Sequence, residues 1–225
     1  MGLAVALMVV VQADALRGGS EPARGKDGAG TATAGARLLT SPPILLALLF
    51  YICTSVGSTG ISGFSVVALQ ALYDTPLEYG NAALTGFLAA ASIGVAIGGI
   101  LADRTRHHDR IAAVGLLSTC LMVLVVGNFD LGNVLVVTAM TLAGFMHGAI
   151  NPSRDMLVRA ITPSGQTGKV FGFVTTGFSI GGTIMPPILG RVLDQGDAHW
   201  IFWISAAALM GAVFARPRRR AVAGQ

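Results

Sequence analysis

Long apolar runs separated by short charged gaps set the pattern of this chain. Six segments are uncharged or nearly so: roughly Ile44–Tyr73, Ala82–Ala102, Ile111–Phe129, Leu131–Ile150, Val170–Gly190 and Trp200–Ala215. A bilayer's hydrocarbon core of ~30 Å needs about 20 apolar residues in a helix, and each segment comes close to that. A soluble bundle would need polar stripes at helical spacing along most of its helices, and those are largely missing. The pattern predicts an all-α integral membrane protein with six transmembrane helices.

Charge then orients the helices. Of the 15 Lys and Arg residues, all but Arg191 fall in alternate gaps. Arg17, Arg24, Lys26 and Arg37 precede the first segment. Arg104, Arg106 and Arg110 follow the second, Arg154, Arg159 and Lys169 the fourth, and Arg216, Arg218, Arg219 and Arg220 the sixth. The other gaps hold Asp74, Glu78, Asp130, Asp194 and Asp197. Basic loops stay on the cytoplasmic side, so both termini are expected there. The net charge of +4 does not mark a nucleic-acid surface, because the cations are spread over four loops on one face, where they suit anionic lipid headgroups. With 53% hydrophobic and 12% charged residues, the composition excludes an ordinary soluble domain.

The ends of the chain divide it further. Residues 1–11 are apolar but too short to span a bilayer, and they lack the basic start and cleavage site of a signal peptide. Residues 12–43 are rich in Gly, Ala and Arg and poor in large apolar residues, as a flexible cytoplasmic linker would be. The apolar stub reads either as the tail of an earlier transmembrane helix or as a short natural anchor. Residues 44–220 form the six-helix domain and 221–225 a cytoplasmic tail.

An internal repeat is expected within the six spans. The second ends in Gly99-Ile-Leu-Ala-Asp103 and the fifth in Gly190-Arg-Val-Leu-Asp194, each after a glycine-rich stretch. These segments are the middle members of two three-helix units, and their aspartates fall on opposite membrane faces, as two inverted three-helix repeats require. Glycines inside the spans form small-xxx-small pairs, Gly94/Gly98, Gly144/Gly148 and Gly177/Gly181, with Gly168/Gly172 at a span entrance. Such pairs let membrane helices approach closely. No phosphate-binding glycine loop is present.

Several residues are candidates for function. Tyr51, Ser55, Ser58, Ser62 and Ser65 recur at three- and four-residue spacing on one face of the first span, and Gly57, Gly60 and Gly63 would ease local unwinding. Those hydroxyls either line a water-filled cavity or bond back to their own helix and pack. His147 lies well inside an apolar span, where an ionisable group is a functional candidate by default. The alternative is a neutral ring bonded to a backbone carbonyl. Asn151 and Pro152 follow, and Pro152 is expected to kink the helix. Arg154, Asp155 and Arg159 come next as a gating ion-pair network or as interfacial anchors. Met185-Pro186-Pro187 predicts a second helix break, and Trp200 and Trp203 read as interfacial anchors. The two cysteines, Cys53 and Cys120, lie in apolar segments without metal-ligand spacing. No nucleophile–base pair, paired intramembrane carboxylates or metal site emerges, so neither an enzyme nor a bound cofactor is expected.

Taken together, these motifs resemble the C-terminal six-helix half of a major facilitator superfamily transporter. The stretch from Gly98 to Arg110 is similar to the family's loop motif G-x-x-x-D-R-x-G-R-R. Gly99, Asp103 and Arg104 match it, whereas Arg106 stands where glycine is usual and His107 where a basic residue is usual. Asn151 to Arg159, then Gly168 to Phe173 and Gly177 to Gly190, resemble the tenth and eleventh helices of bacterial members. The resemblance implies that the spans are helices seven to twelve, that residues 1–11 are a remnant of helix six, and that Asp103 helps latch the cytoplasmic side. It also implies a bacterial inner-membrane location and a substrate cavity shared with another half.

The expected function is transport of a small organic solute by alternating access, by a chain truncated at its start. The expected partners are the lipid bilayer, the solute, and either the missing N-terminal half or a second copy. The substrate-cavity candidates are Tyr51, Ser55, Ser58, Ser62, His147 and Asn151. The latch and gating candidates are Gly99, Asp103, Arg104, Arg154, Asp155 and Arg159. Proton coupling is left open. The competing expectations are a self-pairing half-transporter and a non-transporting membrane scaffold.

Overall fold

Six helices account for nearly all of the structure, a computed structural model that describes residues 39–105, 108–163 and 165–215. They are α1 (Pro42–Tyr73), α2 (Leu77–Arg104), α3 (His108–Asn128), α4 (Gly132–Ile161), α5 (Thr167–Asp194) and α6 (His199–Ala215). No strand occurs among the described residues. The expectations for residues 1–11, for nearly all of the linker, for Arg106 and His107 and for the tail lie outside the described residues.

Local chemistry sets the helix ends. Pro42 and Pro43 open α1 after Ser41, where a fixed φ and a missing N–H cost nothing. The helix stops at Asp74, whose backbone is left-handed at φ 49° and whose N–H bonds to Gln70 O at 3.1 Å. Gly196 takes φ +82° in the turn after α5, a conformation that suits glycine.

Four helices are long and apolar enough to cross a membrane on length and composition alone, namely α1, α2, α3 from Asp109 onward, and α4. The apolar α6 has 17 residues. α5 has ample length at 28 residues but carries Thr, Ser, Gly and two prolines. Side chains such as Leu45, Ile93, Ile97, Leu121, Val134 and Ile184 are exposed on the outside of the bundle, the surface that lipid tails would cover.

The packing reproduces the expected inverted repeat. α1 packs against α5 and α6, α4 packs against α2 and α3, and α3 packs against α6. Exchanging α1 with α4, α2 with α5 and α3 with α6 leaves that set of partners unchanged. Directions follow from the contacts. Gly177 meets Leu48 and Tyr51 while Gly181 meets Ile52 and Ser55, so α1 and α5 are parallel. Gly144 meets Phe87 and Gly148 meets Ala91, so α2 and α4 are parallel too. α3 and α6 are antiparallel, with Cys120 Sγ on Ala206 O at 3.4 Å and Gly127 against Phe202. Gly86 and Gly177 stand at the same spacing ahead of Asp103 and Asp194, and each faces its crossing helix, at Thr141 and Leu48 respectively.

Glycine drives the closest approach. Gly94 and Gly98 of α2 lie against the backbone of Phe145 and Ala149, and Gly144 and Gly148 of α4 lie against the backbone of Phe87 and Ala91. A methyl group at any of these four would overlap main-chain atoms. Such reciprocal contact supplies the dispersion that holds helices together where lipid offers no hydrophobic drive.

Three expectations need correcting. Gly57 and Gly60 do not unwind α1, which is one continuous helix; they admit Leu209 and Ser205 of α6. The Gly168/Gly172 pair makes no close contact. Both proline sites, where a kink and a break were expected, lie inside continuous helices. α4 runs through Pro152 to Ile161, and α5 runs through Pro186 and Pro187 to Asp194. The apolar face resumes after Pro152 with Leu157 and Val158, which are buried, and that burial carries the helix onward. Arg154, Asp155 and Arg159 therefore sit on α4 and not in a loop.

Candidate functional site

The side chains of α1, α4 and α5 converge on Arg154. Its residue is only 8% exposed, and it lies about 10 Å inside the C-terminal end of α4, two turns short of Ile161. The guanidinium carbon stands 4.5 Å from the ring centroid of Tyr51 on α1 and 4.9 Å from that of Phe178 on α5. Those two rings meet edge to face at 5.1 Å. A cation held over aromatic faces is attracted by the ring quadrupoles, more strongly when water is excluded.

Asp155 completes the cluster. Arg154 Nε donates to Asp155 Oδ1 at 3.1 Å, and the Tyr51 hydroxyl donates to the same oxygen at 2.7 Å. The Asp155 side chain is 50% exposed against 10% for Arg154, so the ion pair spans from the interior to an open edge. Ser55, one turn beyond Tyr51, donates to Phe178 O at 2.8 Å and so fixes α5 at this level. The bonds from Tyr51 and Ser55 cross between helices, and they are what Tyr51-x-x-x-Ser55 spacing on one face allows.

The other candidates are distributed as follows. Ser62 donates back to Ser58 O at 2.7 Å, and both are half-buried. His147 is buried two turns before Arg154 on the same face of α4, its ring tilted over Phe87 at 5.8 Å. Its Nδ1 is sealed and has no hydrogen-bond partner among the described residues. Asn151, half-buried, lies between the two. Gly99 has open space beside it, and Asp103 and Arg104 are exposed at the C-terminal end of α2. Arg159 is exposed one turn beyond the cluster. The structure thus brings Tyr51, Ser55, Arg154 and Asp155 together, and leaves Arg159 and the Gly99–Asp103–Arg104 set apart from them.

One participant escaped the sequence reading. Phe178 has no distinguishing signal beyond its place next to Gly177. Arg154 was a gating candidate but was set in the gap after the fourth span; the period Ser153, Leu157, Val158, Ile161 carries the helix past it.

With that geometry in hand, comparison with known proteins is decisive on kinship. The sequence profile of the Major Facilitator Superfamily matches residues 47–225. The chain belongs to the major facilitator superfamily. It is an integral membrane protein of all-α fold, one six-helix half of that architecture. The crystal structure of the E. coli fucose:proton symporter FucP matches it with a TM-score of 0.73 at 18% identity, over 95% of this chain and 53% of that one. The chain thus spans about half the length of that solved relative, and the likeness is one of fold. No curated protein sequence matches it significantly.

Proposed function

We propose that this chain is the C-terminal half of a secondary transporter that moves a small organic solute by alternating access. The reading rests on the superfamily match over residues 47–225 together with one feature of the surface. α2 and α5, equivalent helices of the inverted repeat, each turn a narrow row of small and polar residues outward. On α2 the row is Asn81, Thr85, Ala89, Ser92 and Ala96; on α5 it is Gly172, Thr175, Ser179 and Thr183, all exposed. Exposed rows of this kind suit a second helical half or a water-filled cavity better than lipid tails. The partner is then another six-helix half, either an N-terminal half or a second copy of this chain.

On this reading Tyr51, Ser55, Ser58, Ser62, His147 and Asn151 belong to the α1 and α4 wall of the cavity, and Asp103 to the cytoplasmic latch. On the same reading the basic loops favour cytoplasmic termini, in a bacterial inner membrane. Solute counterflow into vesicles bearing the purified protein tests the function. Accelerated exchange of a labelled solute against its unlabelled form supports transport. A folded protein that exchanges nothing from a broad solute panel, both alone and combined with an N-terminal six-helix half, favours a membrane scaffold.

A further inference from the structure

The geometry points to Arg154 as an anion receptor, a fork held ready for the paired oxygens of a carboxylate or phosphate; this rests on the transporter reading. A latch needs only a charge, and this arginine is fixed far more tightly than that. Rings from two other helices flank it, at 4.5 Å from Tyr51 and 4.9 Å from Phe178, which restricts the guanidinium on both sides. Arginine favours planar groups with two oxygens because two parallel N–H bonds can form at once. Here that mode is unused. Asp155 takes only Nε, with the oxygen it already shares with Tyr51.

Among the described residues the hydrogen bond and the ion pair of Arg154 go through Nε. The sealed polar side-chain atoms without a partner are Ser65 Oγ, Tyr73 Oη, His147 Nδ1 and Ser153 Oγ, so the Nη pair keeps an opening. The half-exposed Asp155 side chain shows that the cluster reaches an open edge. Tyr51 of α1 and Phe178 of α5 face the guanidinium, and Asp155 is the carboxylate paired with Arg154 among the described residues.

An arriving anion on the Nη pair competes with Asp155 for the charge of the guanidinium and weakens its hold on Asp155. Asp155 can swing outward because half of it is already in the open, and its bond to Tyr51 then breaks. That bond ties α1 to α4, two helices whose backbones otherwise touch only lightly. Binding is thereby coupled to separation of the two helices.

The oxygens could belong to a water-soluble solute or to an anionic lipid headgroup, and the test separates them. The purified chain is placed in phosphatidylcholine nanodiscs and its thermal midpoint followed with succinate, inorganic phosphate or neutral succinamide. A rise with succinate or phosphate and none with succinamide is expected. Arg154→Lys, which keeps the charge and loses the fork, should weaken apparent affinity at least tenfold. Asp155→Asn, which removes the competitor, should tighten it and serves if the lysine variant does not fold. In discs containing phosphatidylglycerol, an Arg154-dependent rise in the midpoint that succinate no longer adds to assigns the site to the headgroup.

Equal stabilisation by succinamide, undiminished binding to Arg154→Lys, unaltered binding to Asp155→Asn or no anion effect in either disc overturns the proposal. Counterflow of a neutral solute without anion binding would remove the receptor and leave the transporter standing. Anion binding without any counterflow would do the reverse.

Discussion

The Tyr51 hydroxyl reaches Asp155 Oδ1 at 2.7 Å, from α1 to α4. The two helices run antiparallel, with the N-terminal third of one beside the C-terminal third of the other. Tyr51 has two jobs at that crossing, because its ring also covers one face of the Arg154 guanidinium. The hydroxyl and the ring can be removed separately.

Tyr51→Phe deletes the hydrogen bond and keeps the ring. A bond to an ionised acceptor contributes about 1.5–3 kcal/mol, and the exposure of Asp155 puts this one at the low end. Tyr51→Ala also opens a cavity beside Arg154, which raises the loss to about 3–5 kcal/mol. Thermal unfolding in detergent should rank wild type above Tyr51→Phe and Tyr51→Phe well above Tyr51→Ala. Equal midpoints for the two variants would mean that the ring over Arg154 contributes nothing.

The α2–α4 crossing makes a different prediction, about shape alone. Gly148 faces the backbone of Ala91, so an added methyl group meets main chain that cannot rotate away. Gly148→Ala must push the helices apart, at a cost of about 1–3 kcal/mol. Gly172→Ala, on the open face of α5, should have no such effect. The yield of monodisperse protein and its midpoint should fall for the first and hold for the second.

How much of this was legible follows from what each feature depends on. Helix number, loop charge and the paired Gly99–Asp103 and Gly190–Asp194 endings are periodic along the chain, and they were readable there. The Gly94/Gly98, Gly144/Gly148 and Gly177/Gly181 pairs were readable as packing, because small residues at that spacing have one main use in a membrane. Which helix each pair meets was not, since parallel crossing of α2 with α4 is a property of the whole bundle. Arg154 shows the limit most clearly. Pro152 removes one backbone donor, a local loss that the buried Leu157 and Val158 outweigh, and only tertiary packing tells the two outcomes apart. The rings of Tyr51 and Phe178 come from segments more than a hundred residues apart and could not be joined by spacing.

His147 separates stability from function. Its Nδ1 is sealed without a partner, an arrangement that costs about 1–3 kcal/mol and that an apolar side chain of similar size would relieve. His147→Leu should therefore raise the unfolding midpoint or leave it unchanged. If the ring serves the solute pathway, counterflow should fall at the same time. A variant that is destabilised and still exchanges solute normally would make the histidine a packing residue.

Asp103 extends the same logic to the loop motif. It is exposed at the C-terminal end of α2, where the helix dipole disfavours a carboxylate by about 0.3–1 kcal/mol. No close packing holds it there, so Asp103 works against its own helix within this half. On the latch reading proposed above, its use lies in contacts that form and break with another half. Asp103→Asn should keep or slightly raise the midpoint while slowing counterflow severalfold. The solute concentration for half-maximal exchange should barely change, because the α1–α4 wall is untouched. Measuring exchange rate and half-saturation together decides the matter: a rate that falls only in step with weakened binding would place Asp103 in solute recognition and remove it from the latch.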